Sequence, residues 1–439
     1  MFISGGMIMI KITTDSRWGK RIYEFLREKF HPHFWELESQ FPSNDRWRKL
    51  SSLGTELWLD TGDMNAIDPL WTQEFCALTT NNTLLNKEVQ KGIYDEFITE
   101  ANQLLDRIPD LSPQDRKLEM AFMLNAFHGL RLVEKYDAYV SVEEHTDLAD
   151  DVAGAVEYAR RLHAICPERF IVKIPFTPAG LLATRILSSE GIPVNHTLGF
   201  SARQNYLVTR IGRPEYVNVF LGRLNTFVSE NNLGSGLLVG EKATLASQMV
   251  VRTLRKKYDF SCRQIGASLR SAEQIRNLMG LDVMTIPPKV AEEYLNMPIV
   301  DEDIESRLHL QYTPGLRSDL SPKSVGLPSL WEVDERLIVA INTLEMEHLG
   351  GFTPDDLVEF FEQQGCRDIF IRWTDSERKT SRAEGKIPRL ENWREGLAEG
   401  RFGLDALMNL AGLESFAADQ CEMDAHVAEV LEEEIVDNS

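Results

Sequence analysis

Lys173 is set between Val172 and Ile174 in the run RFIVKIPF. The run is largely apolar, like a parallel strand covered on both faces. An ammonium buried there without a counter-charge is costly, which favours the neutral amine. A neutral amine attacks a carbonyl and forms a Schiff base. A lysine paired with a carboxylate at a strand end is the plainer alternative, and spacing alone leaves both open. Two carboxylates close other short apolar runs: Asp60 ends ELWLD and Glu143 follows AYVSV. In different environments such a pair divides acid and base work. Taken singly, Asp60 also suits a turn at TGD, and Glu143 a cap or salt bridge in EEHTD. Arg223 follows YVNVFL, and Ser268 and Arg270 follow the run that begins SCRQIGA. Arginine forks beside a hydroxyl suit a phosphate dianion, and the S-A-E of a helix start adds to this. A solvated surface arginine is the commoner fate of any one of them.

These residues need elements to bring them together. Eight candidate strands occupy 56–60, 75–80, 138–144, 169–176, 193–200, 216–221, 261–268 and 281–288. Helical patterns lie between them, at 83–105, 112–136, 146–165, 177–191, 201–212, 241–258 and 271–280. Many open on Ser, Thr or Asp and close near Gly. Eightfold strand–helix alternation predicts a (β/α)8 barrel, with chemistry at the C-terminal strand ends. Those ends supply Asp60, Asn81, Glu143, Lys173, Asn195 with Thr197, Arg223, and Ser268 with Arg270. A doubly wound sheet would want a glycine-rich turn after its first strand, and LDTGDMNA is not G-x-G-x-x-G.

The chain has 439 residues, room for one large domain or two to three ordinary ones at roughly 100–200 residues each. Residues 1–52 read as an N-terminal helical extension, with helical stretches SRWGKRIYEFLREKF, FWELESQF and SNDRWRKL. The barrel is expected over 53–300. Residues 301–400 read as an inserted α/β subdomain: helices at 330–351 and 352–365, a strand CRDIFIRW (366–373), and a polar loop over 375–395. Residues 401–439 read as a C-terminal helix with an acidic tail.

Charge narrows the partners. Acids number 68 and bases 47, for a net −21. Residues 301–439 hold 31 acids and 13 bases, so the first 300 are nearly neutral. No general affinity for nucleic acid is expected of such a chain. A local basic site for a phosphorylated small molecule remains compatible with it. No stretch approaches the ~20 apolar residues of a membrane span, and the N-terminus lacks the basic start of a signal peptide. Five scattered cysteines give neither a metal spacing nor a disulfide framework, so a cytoplasmic setting is the expectation.

Seven ordered segments resemble the transaldolase family: LDTGD (59–63), LTTNNTL (78–84), VSVEE (140–144), IVKIPFTPAGLLATRILSSEGIPVNHTLGFS (171–201), NVFLGR (218–223), IGASLRSAEQI (265–275) and DVMTIPPK (282–289). LAGLESFAADQ (410–420) is similar to the family's C-terminal helix, which closes over the active site. The resemblance implies a cofactor-free and metal-free enzyme of the pentose phosphate pathway. Such an enzyme moves a dihydroxyacetone unit from a ketose phosphate (sedoheptulose 7-phosphate or fructose 6-phosphate) to an aldose phosphate (erythrose 4-phosphate or glyceraldehyde 3-phosphate). It implies Lys173 as the Schiff-base lysine and Asp60 as the carboxylate that takes and returns the substrate hydroxyl proton. Glu143 and Thr197 would hold the proton-shuttling water. Asn81 and Asn195 would bind substrate hydroxyls and the carbinolamine. Arg223, Ser268 and Arg270 would grip phosphate. Phe220, with Glu143, matches the pair typical of transferases; relatives acting as fructose 6-phosphate aldolases differ at both. The expected partners are phosphorylated sugars, not nucleic acid or membrane, and a homodimer is compatible with the sequence.

The sequence also departs from the family. Asn218-Val219 stands where Ser-Pro is usual, and Asn82-Thr83 where Pro-Ser is usual. Segment 301–400 is longer than the family's connection to its closing helix. Asn218 and the insertion motivate one rival, a transaldolase-like enzyme of specialised metabolism with another acceptor. A second rival is a pseudoenzyme whose acidic C-terminal part binds a protein partner, and retention of every proposed catalytic residue argues against it.

Overall fold

The computed structural model describes residues 18–437 apart from 33, 35–39 and 301–302. Most of FWELESQF lies outside the described residues. Eight parallel strands form a closed barrel in chain order: β1 Glu56–Asp60, β2 Phe75–Thr79, β3 Tyr139–Glu143, β4 Phe170–Pro175, β5 Val194–Thr197, β6 Tyr216–Phe220, β7 Arg263–Ala267 and β8 Val283–Ile286. β1 pairs with β8 to complete the ring. The fold is a (β/α)8 barrel, as the alternation predicts.

Strand side chains alternate between the two faces of the sheet. One inward layer is apolar: Trp58, Ala77, Ile171, Tyr216, Ile265 and Val283 cluster together. Trp58 and Tyr216 meet edge to face at 4.8 Å. Two residues further along the same strands come Asp60, Thr79, Lys173, Asn218, Ala267 and Thr285, which line a cavity at the C-terminal end. An aromatic plug therefore fills the barrel below a mostly polar layer. The outward positions, such as Leu57, Leu59, Leu78, Val172 and Val194, belong to the core shared with the surrounding helices.

The helices begin where the caps predict. Ser112, Thr177 and Ser201 cap Pro113–Tyr136, Pro178–Ser189 and Ala202–Ile211 through their side-chain oxygens; each such cap is worth about 1 kcal/mol. The N-terminal extension contributes Gly19–Glu28 and Asp45–Ser52. Trp47 of the second lies against Phe75 at 5.2 Å and Tyr294 at 4.9 Å. Arg46 donates to the carbonyls of Tyr294, Leu295 and Met297 at 2.6–2.9 Å, capping the last barrel helix, Pro288–Asn296. No helix among the described residues is long and apolar enough to cross a membrane.

Three expectations are corrected. CRDIFIRW forms no strand, only turns and irregular chain. Ile369 and Phe370 are buried against barrel-side residues such as Phe176, so these apolar residues serve packing instead of a ladder. The polar stretch 375–395 is not loop: it holds helices Asp375–Glu384 and Leu390–Ala398. Thr374 and Glu377 form a reciprocal capping box that starts the first, a signature legible in T-D-S-E. The inserted segment is thus helical among its described residues, not α/β. Its apolar side chains, Leu337, Ile341, Leu344, Leu357 and Phe361, share one cluster with Leu181, Leu207, Val208 and Ile211 of the barrel helices.

Arg203 joins barrel, insertion and C-terminal helix Leu404–Asp437. Its guanidinium donates to Asp405 through Nε at 2.8 Å and Nη2 at 2.6 Å, and to Asp368 at 2.6 Å. Ser201 adds a hydroxyl to Asp405 at 2.6 Å. Asp405 is fully buried, so removing it leaves the buried Arg203 with Asp368 as its remaining carboxylate partner. Asp405→Ala should cost about 3–5 kcal/mol in urea unfolding and speed amide exchange in the first turns of the C-terminal helix.

Candidate active site

The cavity at the C-terminal end of the barrel is lined by nine of the ten residues singled out in the sequence: Asp60, Asn81, Lys173, Asn195, Thr197, Phe220, Arg223, Ser268 and Arg270. Glu143 is the exception. It lies beside Lys173 in the β3–β4 register, but its carboxylate is buried and accepts from the backbone N–H of Asn82 at 3.1 Å. That bond exists because residue 82 is asparagine; a proline has no N–H to give. Burial holds the Glu143 carboxyl above the ordinary range, against the opposing pull of Lys173 and of the Asn82 bond.

Lys173 is 5 % exposed. Its Nζ donates to the Thr80 carbonyl, which fixes the amine at the foot of the cavity. Asp60 is held by a hydroxyl chain. Thr79 donates to Asp60 Oδ1 at 2.7 Å, and its own oxygen meets Thr285 Oγ1 at 2.6 Å. One hydroxyl proton can serve only one acceptor, so Thr285 donates to Thr79 and Thr79 to Asp60. Neither threonine stands out in the sequence, because a hydroxyl inside an apolar run carries no pattern.

An amide chain orders the far wall. Asn218 Nδ2 donates to Asn195 Oδ1 at 3.1 Å and to the His196 carbonyl at 3.2 Å, while its Oδ1 accepts from Gly199 N–H at 3.0 Å. Asn195 Nδ2 donates onward to Ser141 Oγ at 3.1 Å. Asn218 spends its amide on protein partners, so it positions Asn195. Asn81 caps helix Asn82–Val89, accepting from Leu84 N–H at 2.8 Å, which leaves its NH2 as the donor for the cavity.

The opposite wall is cationic. Arg223 sits in the first turn of Leu221–Glu230, a helix that the sequence does not announce because it follows β6 directly with no side-chain cap. Gly222 lets this helix approach the β7 loop: a Cβ there would lie 2.0 Å from the Ser268 carbonyl oxygen. Arg223 is buried, and its Nη1 has no hydrogen-bond partner among the described residues. Phe220 and Phe416 lie 5.4 and 5.5 Å from the guanidinium carbon. Burial, then the neighbouring Arg270, push Arg223 down to about 10. A guanidinium parts with its proton reluctantly, so an incoming anion is the effective relief. Ser268 stands ready beside it, in the left-handed region at φ 62° with its buried Oγ unpartnered among the described residues. Lys87 and Lys386 also line the cavity; neither is legible in the sequence, as lone lysines in polar surroundings.

The C-terminal helix covers this mouth. Thr83 bonds Asp419, Asn86 donates to Glu422 at 3.0 Å, and His145 meets Asp424 at 3.2 Å. Thr83, at the second of the departing positions, thus serves to fasten the helix.

Arg223→Met should remove the unpaired charge at similar volume. The ligand-free variant should melt at a higher temperature than the native chain. Phosphate near one hundred times its Kd should stabilise the native protein by about 2.7 kcal/mol, and the same concentration should stabilise the variant, which keeps Ser268 and Arg270, by much less. Calorimetry with and without phosphate checks both.

The sequence is similar to those of transaldolases from other organisms. A transaldolase of Gloeobacter violaceus is 27% identical over 267 residues, 58% of this chain and 66% of the relative. A transaldolase of Chlamydia felis is 29% identical over 245 residues, 53% of this chain and 72% of its own length. A probable transaldolase of Aquifex aeolicus is 35% identical over 176 residues, 40% of this chain and 73% of its own length. The family model described as Transaldolase/Fructose-6-phosphate aldolase matches residues 57–319, more than half of the sequence. With eight strands in a closed barrel and a buried lysine on the fourth, the chain belongs to the transaldolase/fructose-6-phosphate aldolase family.

Proposed function

We propose that this enzyme transfers a dihydroxyacetone unit between phosphorylated sugars through an imine on Lys173. The observation that carries the reading is one cavity that holds a buried amine, a threonine-held carboxylate and a wall carrying Arg223 and Arg270. The sugar phosphate docks on Arg223, Ser268 and Arg270, which sets the ketose carbonyl toward Lys173 Nζ. The amine adds to the carbonyl carbon, giving a carbinolamine; loss of water then gives the imine. Glu143 and Thr197 hold the water that carries protons in these steps, and Asn81 and Asn195 steady the carbinolamine and hydroxyls.

Asp60 next takes the proton from the C4 hydroxyl. The C3–C4 bond breaks, its electron pair moves into the imine, and the aldose phosphate leaves. The bound three-carbon unit is now an enamine. A second aldose phosphate presents its aldehyde carbon, the enamine attacks it, and Asp60 returns the proton to the new hydroxyl. Hydrolysis of the imine frees the product ketose phosphate and regenerates the amine. Sedoheptulose 7-phosphate and fructose 6-phosphate are the donors expected, and erythrose 4-phosphate and glyceraldehyde 3-phosphate the acceptors, in the pentose phosphate pathway.

Borohydride reduction with fructose 6-phosphate should add a three-carbon unit to the peptide containing Lys173. Lys173→Arg should trap nothing and lose activity, since a guanidinium cannot supply the amine. A label on another lysine of an active enzyme would sink the assignment.

Transfer should dominate over release. Release needs protonation of the enamine carbon and then hydrolysis, whereas transfer needs only an aldehyde held at the phosphate site. Fructose 6-phosphate alone should turn over slowly, and erythrose 4-phosphate should restore turnover with ping-pong kinetics and sedoheptulose 7-phosphate as product. Free dihydroxyacetone as the main product with acceptor present would assign the protein to the aldolase side of its family.

A further inference from the structure

Lys386 belongs to the inserted segment and yet lines the barrel cavity. It sits in the turn between helices Asp375–Glu384 and Leu390–Ala398. The charges that act on it are Asp419 of the C-terminal helix and three cations of the cavity: Arg223, Lys87 and Arg270. Besides Lys173, four basic side chains line the cavity (Lys87, Arg223, Arg270 and Lys386), against one lining carboxylate, Asp60. Like charges gathered with so few counter-ions repel, and a bound dianion turns that repulsion into attraction.

The turn is held in place. Gly385 opens it at φ 77°. Glu384 accepts from Arg389 N–H at 3.0 Å and from Trp393 Nε1 at 2.8 Å. On the barrel side, Asn231 Nδ2 donates to the Pro388 carbonyl at 3.0 Å and Asn231 Oδ1 accepts from Leu390 N–H at 2.7 Å. Asn231 is the C-cap of the helix whose first turn carries Arg223. Arg382 also grips the buried Glu414 of the C-terminal helix at 2.9 Å. The turn is therefore registered against the same helix as the buried guanidinium.

We infer that Lys386 is a substrate-binding residue, which the insertion delivers over the barrel mouth to hold the phosphate of the sugar with Arg223, Ser268 and Arg270. The inference rests on the transaldolase reading of the site. The insertion thereby helps to select phosphorylated over unphosphorylated sugars. A lysine suits the rim because its ammonium is a mobile point charge that follows a dianion as it enters and leaves.

The test compares Lys386→Gln and Lys386→Arg with the native enzyme. Fructose 6-phosphate and unphosphorylated fructose serve as donors, with erythrose 4-phosphate as acceptor. Lys386→Gln should lower the ratio of kcat/KM for fructose 6-phosphate over fructose by roughly 10- to 100-fold, the worth of one charge-assisted contact. The loss should fall mainly in KM, and the melting temperature should stay close to native. Lys386→Arg should keep most of the ratio. An unchanged ratio in Lys386→Gln, or an equal fall with both donors, overturns the inference. Borohydride trapping on Lys173 in the same variant separates the two readings. A labelled Lys173 with an unchanged ratio defeats the role of Lys386 alone, and an active but unlabelled enzyme defeats the imine reading beneath it.

Discussion

Parity along the strands is the constraint on which this molecule is built. In a closed barrel each strand alternates between the lumen and the helices, and the register passes that alternation to its neighbours. Ile171 and Lys173 are both lumenal; Val172 and Ile174 are both in the outer core. A slip of one residue in β4 would put the amine among the helices and two branched apolar side chains in the cavity. Trp58 and Tyr216 matter for the same reason. By filling the lumen one layer below, they block access to the amine from that side.

Above the plug, charges of both signs surround the cavity. Asp60 and Glu143 end strands near the amine, and the cations stand around the wall and rim. The chain as a whole carries −21, but exposed charges fade over a Debye length of about 8 Å at physiological salt. The field that an anion would meet at the mouth is thus set by the local cations. The C-terminal helix takes part in both arrangements: Phe416 flanks Arg223, while Asp419, Glu422 and Asp424 fasten the helix to the barrel rim.

Much of this was legible because strands covered on both faces announce themselves as apolar runs. The run ELWLD coincides with β1, and the other runs differ from their strands by a few residues at the ends. The site residues were legible as strand ends, since that is where a barrel puts its chemistry. What escaped lacked a local signal. The helix Leu221–Glu230 has no capping side chain, and Thr285 reaches Asp60 only through Thr79, by a bond across 206 positions of sequence. Asn218 stands out as a departure, but its role as the support of Asn195 needed the neighbouring strands. CRDIFIRW misled because apolar residues on an irregular segment are buried for packing as readily as those on a strand.

The core shared between the insertion and the barrel helices bears on how such an enzyme changes over generations. A segment with its own interior can be gained or lost as a unit and leave its host intact. Here Leu207, Val208 and Ile211 face Leu337, Ile341 and Phe361 in one cluster, so neither side is finished without the other. Excision would uncover a greasy patch on the barrel and uncap its mouth in the same event. A substitution on either side of that cluster is accordingly felt on the other, and the bare barrel is not reached from this sequence by deletion alone.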